Sequence, residues 1–251
     1  MKPFNPKILR YESLPSTNTE AARLALQGAE EGLSVVADEQ TAGRGRLQRT
    51  WVSPKGAGLY FSMLLRPTIP LNQWSLMTFM AALAVGDALL AAGGLQTDIK
   101  WPNDILAGER KICGILAETI ETNAGRALVI GIGINLTREA FPEELAERAT
   151  SVAEITNQRP ERETILAALL QAISRWYSLL QESDGARKIV AAWVSRSSYA
   201  EGKLVKVING DETLRGITRG VEDDGALRLE TEANGIRVIR SGDVVSVRAF
   251  T

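Results

Sequence analysis

From Gly202 onward this sequence changes rhythm, and that change limits the folds open to it. Residues 203–208, 214–221, 226–230, 236–239 and 244–248 are short β-prone runs. Turns separate them at Asn209-Gly210-Asp211, Asp223-Asp224-Gly225, Asn234-Gly235 and Ser241-Gly242-Asp243. Five short strands within about fifty residues predict a small barrel. Upstream, strands and helices are mixed, so the boundary is expected near Glu201. That division gives two domains, residues 1–201 and 202–251.

The upstream part reads as α+β, with a mixed sheet covered by helices. Residues 8–14 form a β-prone lead-in. Thr17-x-x-Glu20 has the pattern of a capping box ahead of a helix over 21–27, with Gly28 as its stop. Residues 34–38 predict a strand, and 59–65 (LYFSMLL) an apolar one bounded by turns and therefore buried. A long helix is expected over 71–92, with Leu76, Phe79, Met80, Leu83, Leu89 and Leu90 at helical spacing and Gly93-Gly94 ending it. Residues 96–100 form a short strand, and Pro102 forces the residue before it into an extended conformation and breaks that strand. Residues 105–106 and 111–118 read as a hairpin about Gly108-Glu109. Residues 127–130 form a further strand, closing on Gly131-Ile-Gly133-Ile-Asn135. Ser151-Val-Ala-Glu154 is a second capping box, and amphipathic helices over 162–180 and 186–195 are expected to cover the sheet.

Composition removes several function classes. The 29 basic and 30 acidic residues leave a formal net charge of −1, against the basic excess usual in nucleic-acid-binding chains. One cysteine allows no internal disulfide and fits a reducing compartment. The start, M-K-P-F-N-P-K, has no apolar signal core. The longest apolar stretch, near residues 77–90, is interrupted by Gly86 and Asp87 and reads as too short and broken to span a membrane. These features predict a soluble cytoplasmic protein. The chain also has no histidine, which excludes Ser-His-Asp and Cys-His catalysis, histidine general bases and histidine-ligated zinc.

The chemistry then centres on residues 39–51, E-Q-T-A-G-R-G-R-L-Q-R-T-W. Gly43 and Gly45 free the backbone to approach a ligand, while Arg44, Arg46 and Arg49 supply planar donor forks for carboxylate or phosphate. The run is not a dinucleotide fingerprint, because the third glycine is missing, and no G-x-x-x-x-G-K-[ST] phosphate loop occurs in the chain. Taken alone, such a run is most often a solvated basic surface loop. Ser16 and Thr17 likewise read either as helix caps or as hydroxyls that bond a polar ligand at a helix N-terminus.

Four segments in order carry a resemblance: Ser16-Thr17-Asn18; residues 39–46; Lys100-Trp101-Pro102-Asn103-Asp104; and Lys111-x-x-Gly114-Ile115-Leu116-x-Glu118 followed by Gly131-Ile-Gly133-Ile-Asn135. Together they resemble the biotin–protein ligases, the biotin–[acetyl-CoA-carboxylase] ligases. The resemblance is to the monofunctional type, since only about ten residues precede the motifs and leave no room for a helix-turn-helix domain. It implies a class II synthetase-like biotin/lipoate ligase fold with a C-terminal SH3-like barrel. It also implies biotin and ATP as substrates, Mg2+ accompanying the ATP near Asn103 without a fixed protein-ligated site, and a biotin carboxyl carrier domain as acceptor. Neither DNA nor membrane is an implied partner, and exposed strand edges could pair two subunits.

By the same resemblance Ser16, Thr17, Asn18, Gln40, Gly43, Arg44, Lys111 and Gly114 would bind biotin. Arg44, Arg46, Trp51, Asn103, Lys111, Asn135 and Arg248 would hold ATP or the adenylate. Lys111, Arg46 and Asp104 would be catalytic, with Asp104 orienting or deprotonating the incoming lysine amine or else serving only as a turn residue after Pro102. Cys113 is expected to be inert core. One departure concerns the loop. The family often has a glycine and further basic residues after G-R-G-R, where this chain has Leu47-Gln48-Arg49, and the change is expected to stiffen the loop. The alternatives are a lipoate–protein ligase, which shares the fold and acyl-adenylate chemistry, and a non-enzymatic nucleic-acid-binding module that would use the basic loop on phosphates.

Overall fold

The computed structural model describes residues 7–209, 212–232 and 235–246. The upstream part contains β1 (Ile8–Leu14), α1 (Thr17–Leu26), β2 (Ser34–Gln40), β3 (Gly58–Leu65), α2 (Leu76–Gly93), β4 (Asp98–Lys100), β5 (Asp104–Ala107), β6 (Arg110–Thr122), β7 (Gly125–Asn135), α3 (Val152–Thr156), α4 (Arg162–Leu180) and α5 (Gly185–Ser195). These strands make one sheet in the order β1-β2-β3-β7-β6-β5-β4. β1 and β2 are parallel, with α1 in the connection between them, and every other neighbouring pair is antiparallel. β3 lies near the middle of the sheet, and all eight of its residues are buried. That explains its nearly unbroken apolar sequence: a strand covered on both faces loses the polar alternation of a half-exposed one.

Helix α2 is the centre of the core. It runs unbroken through Gly86 and Asp87, as the expected helix did, but its 18 residues are long and apolar enough by length and composition to cross a membrane, so the stretch is not too short or too broken for that. Packing explains the composition instead. The helix lies against α4, α5 and the sheet, and Phe79 stacks on Trp193 of α5 with ring centroids 4.3 Å apart. Asp87 points off the core side and accepts from Arg196 Nη1 at 2.7 Å and from the Trp176 indole. Gly94 ends the helix in the left-handed region, at φ 63°. The helix begins at Leu76 rather than 71, because Leu71–Gln73 after Pro70 make a separate 3₁₀ turn.

The start of α1 also differs from expectation. Ser16, not Thr17, is the cap, and its hydroxyl accepts from the Thr19 N–H at 3.4 Å. Thr17 is the first helical residue, and its N–H and hydroxyl both go to Gln40. Glu20 is taken by Arg23 and Tyr11 and so does not close a capping box. The second pattern is half realised: Ser151 caps α3 by accepting from the Glu154 N–H, while the Glu154 carboxylate accepts from the Ser151 and Thr150 hydroxyls rather than from the Ser151 N–H of a closed box.

The β5–β6 hairpin turns through Gly108 and Glu109, both at positive φ, the twist that a two-residue hairpin requires. Its ladder then slips. Ile105 pairs with Cys113 but Leu106 pairs with Lys111, so Ile112 is an extra residue in β6. A bulge of this kind re-aims its neighbours.

The downstream part is a five-stranded antiparallel sheet in the order β11-β10-β9-β8-β12, made by β8 (Glu201–Asn209), β9 (Glu212–Val221), β10 (Leu227–Thr231), β11 (Gly235–Ile239) and β12 (Asp243–Ser246). It is the small barrel-like unit that the turn spacing suggested. Its apolar residues do not form a separate core. Val205, Val207, Leu227, Leu229, Ile239 and Val244 join the buried cluster around α2. The buried Trp101 donates its indole N–H to the Gly225 carbonyl at 2.9 Å, tying the segment before β5 to the β9–β10 turn. Because α2 and α5 meet through the Phe79–Trp193 stack, Trp193→Ala is expected to lower unfolding stability by about 3–5 kcal/mol, read as a shift of the denaturation midpoint.

Candidate active site

A cleft of about 1080 Å³ opens over the sheet and reaches the downstream unit. Its lining changes character from strand to strand. At the β2–β3 end the groups are neutral. The Gln40 side-chain oxygen accepts from the Thr17 N–H at 2.9 Å and its hydroxyl at 3.1 Å, and the Gln40 amide donates to Ser53 Oγ at 2.8 Å. Beneath them Ser62, fully buried in β3, lies 2.7 Å from Thr17 Oγ1 and 2.6 Å from Asn18 Oδ1. Each side chain here holds another in place, so the hydroxyls and amide form a fixed polar end built on two strands and a helix N-terminus.

The floor next to it is glycine. Gly133 of β7 faces Gly114 of β6 in register. A Cβ on Gly133 would lie 2.5 Å from the Trp51 indole nitrogen, and one on Gly114 would lie 3.0 Å from the same ring. Two missing side chains therefore admit the indole of Trp51, which rests on the backbone with its N–H buried and without a partner among the described residues. Lys111 Nζ lies 5.3 Å from the centre of that ring.

The charged centre follows. Lys111 Nζ is 2.6 Å from Asp104 Oδ1 across the hairpin. Asn103 donates its amide to the Ile115 carbonyl at 2.8 Å, and its oxygen accepts from Arg46 Nη1 at 3.2 Å. Arg46 also donates to the Gly242 carbonyl at 3.3 Å and lies 3.9 Å from Asp243, while Arg49 pairs with Asp243 directly. Burial pulls the Arg46 guanidinium below its ordinary value, against Asp243 and Asp104, which favour its charge. Burial likewise lowers Lys100 at the end of β4, with Lys111 and Arg49 adding to the effect and Asp104 and Asp243 opposing it. The opposite wall, lined by Phe141, Pro142, Leu145 and Ala149, is mainly apolar.

The sequence motifs therefore meet in one place. Residues 11–135 match the model of the biotin/lipoate A/B protein ligase family, and residues 202–246 match that of the biotin protein ligase C-terminal domain. A biotin–[acetyl-CoA-carboxylase] ligase of Paracoccus denitrificans is 38% identical, over 91% of this chain and 96% of that protein. This chain belongs to the biotin/lipoate A/B protein ligase family. Among other members, the bifunctional ligase/repressor BirA of Bacillus spizizenii is 39% identical over 94% of this chain and 73% of its own length. A solved biotin protein ligase from Aquifex aeolicus in complex with biotin and ATP superposes with a TM-score of 0.83 at 33% identity, covering 97% of this chain and 99% of that one.

Within this family member, Ser16, Thr17, Asn18, Gln40, Arg44, Arg46, Trp51, Asn103, Asp104, Lys111, Gly114 and Asn135 all line the one cleft. Gly43 stands behind it, its carbonyl accepting the Trp51 N–H at 2.9 Å. Asn135 is buried and ties β7 to the Thr150 carbonyl at 3.0 Å. Arg44 reaches across to Glu118 at 2.6 Å, and the same carboxylate accepts from Asn18 at 2.8 Å. Arg248 lies outside the described residues. The departure at Leu47-Gln48 has a structural counterpart, since both residues sit at positive φ, 53° and 59°, where a glycine would be unstrained.

Sequence reasoning missed Ser62, Lys203 and Asp243, and it quoted Lys100 and Glu118 in motifs without giving them a role in the site. Ser62 did leave a signal, as the one aliphatic hydroxyl in an otherwise apolar and aromatic buried run. Lys203 and Asp243 left none, because only the docking of the downstream unit brings them to the cleft. A Gly133→Ala change is expected to push Trp51 off its floor. Acrylamide should then quench tryptophan fluorescence more strongly than in the wild type, and the difference should vanish in a Trp51→Phe background.

Proposed function

We propose that this chain is an ATP-dependent biotin–protein ligase, in which Lys111 and Asp104 act at the centre of the cleft between a neutral binding end and a basic loop. The carrying observation is the Lys111–Asp104 contact of 2.6 Å, placed between the Thr17–Gln40 hydroxyl–amide pocket and Arg46. A planar, neutral ureido head with donors and a strong acceptor suits Ser16, Thr17, Asn18 and Gln40 better than charges would. With the head there, the carboxylate tail points along the cleft toward Lys111.

In the first step an oxygen of the biotin carboxylate forms a bond to the α-phosphorus of ATP. The bond from that phosphorus to the β-phosphate bridge breaks, and pyrophosphate leaves with the electron pair. An anion approaches a polyanion, so fixed cations aimed at the developing charge supply most of the acceleration. Lys111 and Arg46 fill that role, and Asp104 keeps the Lys111 ammonium on station. Arg44 closes the loop over the tail, and Trp51 offers the face of its indole to the base, beside Asn135 and the Phe141–Ala149 wall. Magnesium would enter on the triphosphate near Asn103, where it offsets phosphate charge.

In the second step a lysine of a biotin carboxyl carrier domain attacks the mixed anhydride and AMP leaves. That amine arrives mostly protonated at neutral pH, and Asp104 is the carboxylate positioned to take its proton. We place the division between the catalytic and downstream domains near Glu201, and a reducing, cytoplasmic setting fits the single cysteine, Cys113, buried in β6.

Pyrophosphate release in the presence of biotin and ATP, followed by biotin transfer to a carrier domain, is the expected outcome of an activity assay. Lys111→Ala should slow pyrophosphate release on the order of 10²–10³-fold while calorimetry still shows biotin binding. Near wild-type release would remove Lys111 from its assigned role. Tight binding of lipoate without biotin would replace the substrate altogether.

A further inference from the structure

The residues of the cleft are ordered along the sheet. Gln40 is on β2, Ser62 on β3, Gly133 on β7, Gly114 and Lys111 on β6, Asp104 on β5 and Lys100 on β4. These are successive neighbours in the sheet, so the path from Gln40 to Lys100 crosses five strand spacings, about 24 Å. In-line displacement at phosphorus sends the leaving group out opposite the attacking oxygen. With the biotin head at the β2 end and the reacting centre at Lys111, the departing phosphates travel on toward β4. The downstream unit closes the cleft there. Lys203 of β8 and Lys100 both line this end of the cleft, and each approaches the buried Tyr199 ring, 5.0 Å from Lys203 Nζ and 5.8 Å from Lys100 Nζ. Among the described residues neither lysine forms an ion pair with a carboxylate, whereas Arg46 and Arg49 in the same region already face Asp243. Arg46, Arg49, Lys100, Lys111 and Lys203 stand against Asp104 and Asp243, an excess of three positive charges at this end of the cleft.

We propose that Lys100 and Lys203, held by the Tyr199 ring at the junction of the two units, form the seat of the β- and γ-phosphates and of the pyrophosphate that leaves. This deepens the ligase reading and rests on it. A compact ammonium on a flexible stem suits a phosphate chain that changes position as its bridge to the α-phosphate breaks. The lowered proton affinity of Lys100 follows from its burial among other cations, and an arriving polyanion relieves it. One unit supplies Lys100 and the other Lys203, so the nucleotide's far end depends on how the two are docked. Lys203 is thereby a binding residue contributed by the downstream unit to a reaction whose centre lies in the upstream one.

The test uses the full chain with Lys203→Met and Lys100→Met, each keeping most of the side-chain stem. Three readouts are compared: the KM for ATP in adenylate formation, the inhibition constant of inorganic pyrophosphate, and the dissociation constant of biotin. Lys203→Met should raise the first two together by about tenfold, the scale of one lost charge-assisted contact. The double variant should raise them further, and biotin binding should stay within twofold in all. Retained biotin binding also reports that the variants are folded. Transfer of biotin from preformed biotinyl-AMP to the carrier should proceed at the wild-type rate, because no pyrophosphate is present in that step. Unchanged ATP and pyrophosphate constants in an active Lys203→Met variant would overturn this seat and leave the ligase reading standing, as would equal losses in biotin affinity. A wild-type protein without biotin-dependent pyrophosphate release would overturn the ligase reading and this seat with it.

Discussion

A 2.6 Å contact between Lys111 and Asp104 holds the centre of the cleft, and the local backbone explains why the two meet. They lie on adjacent strands of a tight hairpin but are not direct ladder partners: Lys111 pairs with Leu106, and Asp104, beyond the bulge, pairs with Gly114. The extra residue Ile112 shifts the ladder, and the absent side chain at Gly114 leaves the space that the Lys111 stem crosses: a Cβ there would lie 3.2 Å from Lys111 Cε. β6 is then pinned from its other side. The Lys111 N–H donates to the Arg148 carbonyl at 2.7 Å, and the Lys111 carbonyl accepts from Thr150 at 2.9 Å. The ammonium is thus aimed by a bulge, a glycine and a backbone clamp together, so the cation is held in place before any ligand arrives.

Around that pair the cleft is graded. Neutral hydroxyls and an amide stand at one end, the glycine floor and its indole in the middle, and cations at the other end. The basic loop overlies all three zones. Gln40 at its root belongs to the neutral end, Trp51 at its exit covers the floor, and Arg46 and Arg49 reach the downstream unit. Leu47 and Gln48 turn it through two successive left-handed residues, a conformation that costs a branched or long side chain of order 1 kcal/mol or more. The exposed Leu47 recovers none of that cost by burial. The loop therefore stores strain beside Arg46 and Arg49 at the mouth of the cleft.

Much of this was legible beforehand, for identifiable reasons. Strand β3 announced itself because burial on both faces leaves an unbroken apolar run. The downstream strands did so because each tight turn needs Gly, Asn or Asp. Helix α4 followed from its apolar spacing alone. What stayed hidden was relational. The choice of Ser16 over Thr17 as the cap depends on Gln40, twenty-three residues on, claiming the Thr17 N–H. Glu118 stands out in sequence only as a motif residue, and its partners Arg44 and Asn18 emerge only once the sheet order is known. Lys203 and Asp243 reach the cleft through the docking of two units, and no local pattern encodes that.

The central claim is that Lys111 and Asp104 act as one unit in forming the adenylate. A double-mutant cycle on biotin-dependent pyrophosphate release tests it most directly, with Lys111→Ala, Asp104→Ala and the two combined. If Asp104 serves this step by holding the ammonium, the double variant loses no more rate than Lys111→Ala alone. Losses that multiply, with each substitution acting as though the other were absent, would contradict the account.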